Sequence, residues 1–246
     1  RTLDAKQTVI GPAVLWDAPD ARPNSPSIDW KQLEPGTVFA SQPRPRDHHA
    51  AHRSLKRYFD IAFSLIAILL TLPIYPLVML AIWLEDGRPF FFIHRRETQG
   101  GREFGCLKFR SMRKDAEQIK LRLMADNQVD GPQFYIKDDP RITRVGRFIR
   151  KTHLDELPQF FNVLTGSMSV VGPRPSPRSE NQYCPSWREA RLGVRPGVTG
   201  LWQIKRTRGQ DTDFQEWIRY DIEYVQNSGF RMDLWIIWRT IRAIVI

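Results

Sequence analysis

The 246-residue sequence predicts a mainly helical α/β chain that meets a membrane. Three observations predict it. Ile61 to Leu84 (IAFSLIAILLTLPIYPLVMLAIWL) runs without a single charge. Arg141 to Arg150, Phe214 to Val225 and Leu234 to Ile246 repeat apolar residues at helical spacing, the mark of amphipathic helices. Between Phe90 and Phe109, short apolar runs alternate with Gly100, Gly101 and Gly105, the pattern of a hairpin feeding a strand.

The 41% hydrophobic and 26% charged residues are ordinary for a folded protein, so wholesale disorder is excluded as the default. Lys and Arg total 37 against 27 Asp and Glu, a formal charge of +10, which points to anionic partners: phosphates, nucleic acid or an acidic lipid surface. The two cysteines, Cys106 and Cys184, sit in no metal-ligand spacing, and a chain this long needs no disulfide staple, so a reducing compartment is expected. The sequence begins at Arg1 without an initiator methionine or a cleavable signal pattern, which reads as a processed chain or a piece of a longer one.

Residues 1–51 are rich in Pro, Asp, Gln and Ser, carry the Pro43 to Arg46 run (PRPR), and read as a tail or linker. The alternative is that Ala13 to Trp16 and Thr37 to Ala40 form short strands. Residues 52–246 form the membrane-associated domain. Arg53, Lys56 and Arg57 precede the uncharged segment, and Arg88, Arg95 and Arg96 follow it. A straight helix over 61–84 would rise about 36 Å and could cross a hydrocarbon layer of roughly 30 Å. Pro73 and Pro76 favour a break instead, leaving halves of about 18 Å, too short to cross. Basic residues at both ends suit a hairpin that enters and leaves on one face, although a kinked spanning helix has the same composition. Lys56, Arg57 and Asp60 lie at helical spacing just before entry, where the cations can meet lipid phosphates and Asp60 can pair with them.

Farther on, the strand of the 90–109 region ends in Lys108-Phe109-Arg110-Ser111-Met112, and Asp115 to Ala125 reads as a solvated helix. Arg141 to Arg150 sets Ile142, Val145, Phe148 and Ile149 on one stripe and Arg144, Arg147 and Arg150 on another. Leu234 to Ile246 mixes tryptophans with Arg239 and Arg242, as interfacial helices do; core packing explains the same period equally well.

Asp155-Glu156-Leu157-Pro158 precedes the apolar run Phe160 to Leu164, which places two carboxylates at or beside a helix start. Locally, Asp155 reads either as an N-cap with Glu156 complementing the helix dipole, or as a carboxylate nucleophile whose neighbour shares a divalent ion. Gly172-Pro173-Arg174-Pro175 and Arg195-Pro196-Gly197-Val198-Thr199-Gly200 are stiff turns, each presenting an arginine of the kind that grips phosphate oxygens. No Walker loop, dinucleotide-binding glycine pattern, His or Cys metal cluster, or serine-hydrolase elbow occurs.

Taken in order, Lys56 to Asp60, the proline-broken segment, Lys108 to Met112, Asp139-Pro140-Arg141-Ile142-Thr143, Leu154 to Gln159, Asn162-Val163-Leu164, Met168-Ser169, Val171 to Pro175 and Arg195 to Gln203 resemble the monotopic phosphoglycosyl transferases, also called bacterial sugar transferases. The match runs from about Leu55 to the end. The resemblance implies an α/β, mainly helical fold: a re-entrant membrane helix hairpin plus a small globular catalytic part with amphipathic interfacial helices, on the cytoplasmic face of a bacterial inner membrane. It implies a Mg²⁺-dependent transfer in which Asp155 attacks the sugar-bearing phosphate of a UDP-sugar, UMP leaves, and the phosphosugar passes to a polyprenyl phosphate. Glu156 would hold the Mg²⁺ with Asp155 or tune the nucleophile. Lys108, Arg110, Arg141, Arg174 and Arg195 are the candidate phosphate contacts, with Asp221 a further polar candidate. Lys56, Arg57, Asp60, Pro73 and Pro76 are the candidates on the lipid side, and a homodimer is an assembly the family admits.

Two stretches depart from the family pattern. His94-Arg95-Arg96-Glu97-Thr98 stands where relatives show Gln-x-Arg-x-Gly, and Ile204-Lys205-Arg206 replaces a Ser-Gly-Arg type run, which clouds inference about substrate loops. The Trp202-Gln203 ending resembles a subgroup whose larger members carry extra N-terminal membrane helices. A nucleic-acid-binding protein would account for the charge but not for the proline-broken segment, so nucleic acid is not an expected partner. A non-catalytic membrane-anchored scaffold leaves Asp155, Glu156 and the arginine turns without a task.

Overall fold

The computed structural model describes residues 7–10, 13–16, 50–123, 134–181, 185–206 and 213–245. Most of the expected N-terminal tail, including Thr37 to Ala40 and the Pro43 to Arg46 run, lies outside the described residues, as do Cys184 and Ala125. Within that region β1 (Gln7–Ile10) pairs antiparallel with β2 (Ala13–Trp16).

The apolar segment is two helices, α1 (Ala50–Thr71) and α2 (Ile74–Asp86), bent by 59°. The break has one cause. Pro73 caps the start of α2 at φ −64°, where its ring ends the hydrogen-bond ladder of α1. Pro76 lies in the first turn of α2, where a missing N–H leaves no bond unmade, so it starts a helix and does not add a second break. Among the described residues no single helix is long and apolar enough to cross a membrane; the bent pair meets length and composition together. Ile68, Tyr75, Val78 and Ile82 are buried, while Leu65, Ile66, Leu69, Leu70, Leu77, Leu80 and Leu84 stay exposed. An apolar surface of that extent calls for lipid or a partner.

β3 (Phe91–Glu97) and β4 (Glu103–Phe109) form the expected hairpin, registered from Phe91 opposite Phe109 to Glu97 opposite Glu103. Gly100 and Gly101 turn it at φ 76° and 73°, a region open to glycine without penalty. β4 serves two cores at once. Cys106 packs with Val163, Met168, Val170, Val171, Leu201, Tyr224, Ile236 and Ile237, whereas Phe109 packs with Tyr75, Val78, Ile82 and Ile149. The strand thereby fastens the helix pair to the globular part.

The helix read at Asp115 to Ala125 appears as α3 (Ala116–Arg122). That read at Arg141 to Arg150 appears as α4 (Arg144–Lys151), starting later because Ile142 bridges to Met112 and Thr143 caps the helix by accepting the Gly146 N–H. The Glu85 carboxylate at the end of α2 accepts the N–H groups of Arg144 and Val145, both at 2.8 Å, and so ties α4 to the helix pair. Then follow α5 (Gln159–Leu164), β5 (Ser169–Val171), α6 (Arg178–Asn181), α7 (Pro185–Leu192), β6 (Gly197–Thr199), α8 (Leu201–Lys205), α9 (Asp213–Asn227) and α10 (Phe230–Val245). β5 and β6 pair in parallel, so closely that a Cβ on Gly197 would strike the backbone of Gly172.

In α10 the core and interfacial readings occupy different faces. Ile236 and Ile237 are buried; Leu234, Trp235, Trp238 and Ile241 are exposed, with Arg239 and Arg242 beside the two indoles. Such a face suits a membrane interface.

Candidate active site

After α4, His153 adopts the left-handed conformation (φ 57°, ψ 13°), uncommon for a residue with a Cβ, and turns the chain into a single 3₁₀ turn, Leu154–Glu156. Asp155 and Glu156 lie on that turn, ahead of α5, which Pro158 caps without a side-chain hydrogen bond. Asp155 therefore does not cap the helix, and the local N-cap reading gives way to a buried carboxylate, 7% exposed.

The turn packs on β4, and there Lys108 Nζ donates to Glu156 Oε1 at 2.5 Å. Burial disfavours ionised Glu156, but the charges of Lys108 and Arg174 outweigh it and hold the carboxyl well below the usual range. Asp155 moves the other way. Burial pushes its pKa up, the adjacent Glu156 charge pushes it further, and Lys108 and Arg150 only partly offset this. Two neighbouring carboxylates thus have distinct protonation behaviour, one firmly anionic and one more basic than an ordinary aspartate.

Glu156 opens onto a small cleft that is also lined by Arg96, Cys106, Lys108, Gln159, Arg174, Pro175, Gly197, Val198 and Gln203. Its cations come from three places: Lys108 on β4, Arg96 on β3 and Arg174 on the turn after β5. Arg174 lies over the Trp202 ring at 5.3 Å. The backbone of its turn is anchored by buried Arg191, which donates to the carbonyl of Arg174 and to Ser176 Oγ and ion-pairs with Asp221 at 2.8 Å.

Of the residues singled out from sequence, Glu156, Lys108 and Arg174 meet at the cleft, with Asp155 next to Glu156 on the same turn. Arg110, Arg141 and Asp221 do not line it. Arg110 is buried against Asp86 at 3.0 Å and donates to the Gly87 carbonyl at 2.7 Å. Arg141 grips Asp139 through Nε and Nη2, the latter at 2.6 Å, and Asp221 is fully buried on Arg191. Arg195 precedes β6 on the α1 side, close enough to Arg57 that, after burial, its charge is the next cause depressing the Arg57 pKa.

The membrane-entry trio faces protein as well. Arg57 donates to the carbonyls of Val163 and Leu164 at 2.6 and 2.7 Å, satisfying the C-terminal end of α5. Asp60 is buried and accepts from Ser169 Oγ and Val170 N, while Lys56 bridges Asp60 and Asp233 at 3.2 and 2.9 Å.

Arg96, read from sequence as part of the basic flank of the apolar segment, lines the cleft, and Arg150, Gln159, Arg191 and Gln203 are site or support residues to which the sequence reading gave no individual role. The alternation of β3 carries a signal for Arg96: it pairs with Phe104, two and four places from Cys106 and Lys108 on β4, so these side chains share one face of the hairpin. The other four depend on contacts distant in sequence.

A family model described as "Bacterial sugar transferase" matches residues 51–246. The chain is 43% identical over 196 residues to "Galactosyl transferase CpsE" of Streptococcus agalactiae, covering 80% of this chain and 43% of that one. It is 39% identical over 201 residues to "Undecaprenyl-phosphate galactose phosphotransferase" of Salmonella typhimurium, covering 78% and 41%. It is 38% identical over 193 residues to "Exopolysaccharide production protein ExoY" of Sinorhizobium fredii, covering 77% and 84%. The chain thus spans about two fifths of the first two relatives and most of the third. With the ordered motifs, the bent apolar helix pair and a carboxylate turn facing a cationic cleft all inside residues 51–246, this chain belongs to the bacterial sugar transferase family.

Proposed function

We propose that the chain transfers a sugar 1-phosphate from a UDP-sugar to a polyprenyl phosphate at the cytoplasmic face of a bacterial inner membrane, in the initiation of a surface polysaccharide or other glycoconjugate. The observation that carries this reading is the Asp155–Glu156 turn, set beside a cleft bearing Lys108, Arg96 and Arg174 in a chain whose bent apolar helix pair suits lipid. Names of relatives, which specify galactose, glucose and N-acetylgalactosamine transfer to undecaprenyl phosphate, support the class of reaction.

In the first step an Asp155 carboxylate oxygen forms a bond to the sugar-bearing phosphorus. The bond from that phosphorus to the bridging oxygen breaks, and UMP departs with the electron pair. In the second step an oxygen of the polyprenyl phosphate attacks the same phosphorus and Asp155 leaves as a free carboxylate. Burial suits Asp155 to this: the raised pKa makes it a better nucleophile than an exposed aspartate, and exclusion of water protects an acyl phosphate from hydrolysis. Lys108 and Arg174 offer donors to the diphosphate oxygens, where phosphoryl transfer gains most from positioning and charge neutralisation.

The family resemblance implies Mg²⁺. Among the described residues no group of three or more His, Cys, Asp or Glu forms a complete metal cage. Mg²⁺ takes one or two carboxylates and completes its octahedron with water and substrate phosphates, and the adjacent hard oxygens of Asp155 and Glu156 fit that need. Bound there, the ion would neutralise charge on the diphosphate.

The test is UMP release by purified protein in detergent with Mg²⁺, a UDP-sugar and polyprenyl phosphate. Asp155→Asn should lower it by about 10³-fold or more while keeping its thermal transition. Release at the wild-type rate would remove Asp155 as nucleophile, and no release by the wild type with any of a panel of UDP-sugars would overturn the reaction itself.

A further inference from the structure

The cleft is walled mainly by donors. Lys108, Arg96 and Arg174 carry only N–H groups, Glu156 Oε1 is already engaged by Lys108, and the side-chain acceptors left on the wall are Glu156 Oε2 and the amides of Gln159 and Gln203. Gln203 is different. It follows Trp202 on α8, and Trp202 is fixed by burial and by the Arg174 guanidinium over its ring, so the α8 backbone holds the Gln203 side chain at the cleft wall. Its Oε1 is out of contact with solvent and accepts no hydrogen bond; among the described residues lining the cleft it is the buried side-chain oxygen in that position. Gly200 lies behind it, where a Cβ would come within 2.9 Å of Oε1.

A buried acceptor without a partner is destabilising, and a fold that retains one at a ligand cleft has a use for it. Phosphate oxygens cannot be that use, because they too are acceptors. The partner has to bring an N–H or O–H. Building on the nucleotide-sugar reading above, we infer that Gln203 Oε1 accepts a hydrogen bond from a donor group of the UDP-sugar, either the uracil imide N–H or a hydroxyl of the transferred sugar, and that Gln203 is thereby a specificity-determining residue of this cleft. The assignment divides the cleft by chemistry: cations for the diphosphate, a neutral acceptor for the part of the ligand that differs between substrates or identifies the base. A site built to receive a donor rejects the analogue that lacks it far more strongly than an apolar wall rejects an extra group.

The experiment compares wild type and Gln203→Met, which keeps side-chain length and removes the amide, on three substrates: the preferred UDP-sugar, its N3-methyluracil analogue, and a series of analogues each lacking one sugar hydroxyl. Wild type should lose about tenfold or more in kcat/KM on the analogue that removes the partner, and Gln203→Met should show no such loss between the same two substrates. A penalty erased for the N3-methyl analogue identifies the imide; one erased for a deoxysugar identifies that hydroxyl. Equal penalties in both enzymes on every analogue would overturn the inference while leaving the transfer reaction intact. Absence of UMP release by the wild type would strike the reaction reading instead. Binding of the same analogues to the Asp155→Asn protein, followed by calorimetry, gives the comparison without turnover, so a variant that loses activity for other reasons still reports on the hydrogen bond.

Discussion

Lys108 Nζ lies 2.5 Å from Glu156 Oε1, next to the more basic carboxylate of Asp155 on the same turn. Its consequence is a pH effect of known sign. With Asp155 attacking as the carboxylate, as proposed, rate is lost as pH falls through its pKa, which burial and Glu156 set above the ordinary aspartate value of about 3.9. The acid limb of UMP release should therefore lie above that value. Glu156→Gln removes the neighbouring negative charge and should move the limb to lower pH; Lys108→Met removes a positive charge and should move it higher. Limbs that coincide in all three proteins would disconnect the pair from Asp155.

Arg191 and Asp221 are both buried and share an ion pair at 2.8 Å. Removing Asp221 leaves the buried Arg191 charge with neutral acceptors only, at a cost of about 3–5 kcal/mol. Asp221→Ala should lower the thermal transition sharply. Asp221→Asn, which retains a hydrogen-bond acceptor, should fold better and raise KM for the UDP-sugar more than it lowers kcat, because Arg191 also holds the backbone that carries Arg174.

At the β5–β6 crossing, Gly197→Ala would push a methyl into the backbone of Gly172, and backbone cannot yield as a side chain tip can. Overpacking of this kind costs about 1–3 kcal/mol or more. The variant should melt earlier and lose activity, whereas Gly100→Ala, with open space around its Cβ, should show only the modest strain of a positive φ.

Topology has a direct measurement. In a background with both native cysteines changed to serine, Arg53→Cys and Arg88→Cys should react with a membrane-impermeant maleimide from the same side of inverted vesicles. Labelling from opposite sides would make the 59° pair a bent spanning helix.

Much of this architecture was legible in local pattern. Pro73 announced a break because a proline in mid-segment always removes a bond from the ladder; Pro76 could be read correctly only once the new helix start was known, two residues earlier. The Asp155–Glu156 pair was visible, but its 3₁₀ turn was not, since the turn depends on the left-handed His153 and on packing against β4. Arginines were harder. Arg110, Arg141 and Arg174 all sit in motifs that suit phosphate, and sequence gives each the same charge. What separates them is the partner each finds: Arg110 meets Asp86 across the helix–hairpin junction, Arg141 folds back locally on Asp139, and Arg174 lies over Trp202 at the cleft. Gln203 stood in the Trp202-Gln203 motif, but an amide without a partner becomes conspicuous only when its surroundings are known.

The bonds from Arg57 to the carbonyls of Val163 and Leu164, together with Asp60 on β5, join α1 to the short helix that begins three residues after Glu156. On the proposed function, the carboxylate turn and the apolar helix are consequently one keel and deck. With α1 in lipid, its depth would fix the height of Asp155 above the hydrocarbon, and sinking the keel by a single helical turn would lower the deck by about 5.4 Å. A polyprenyl phosphate, whose own head group is held at the lipid surface by its tail, would then meet the nucleophile at a level set by the bilayer itself.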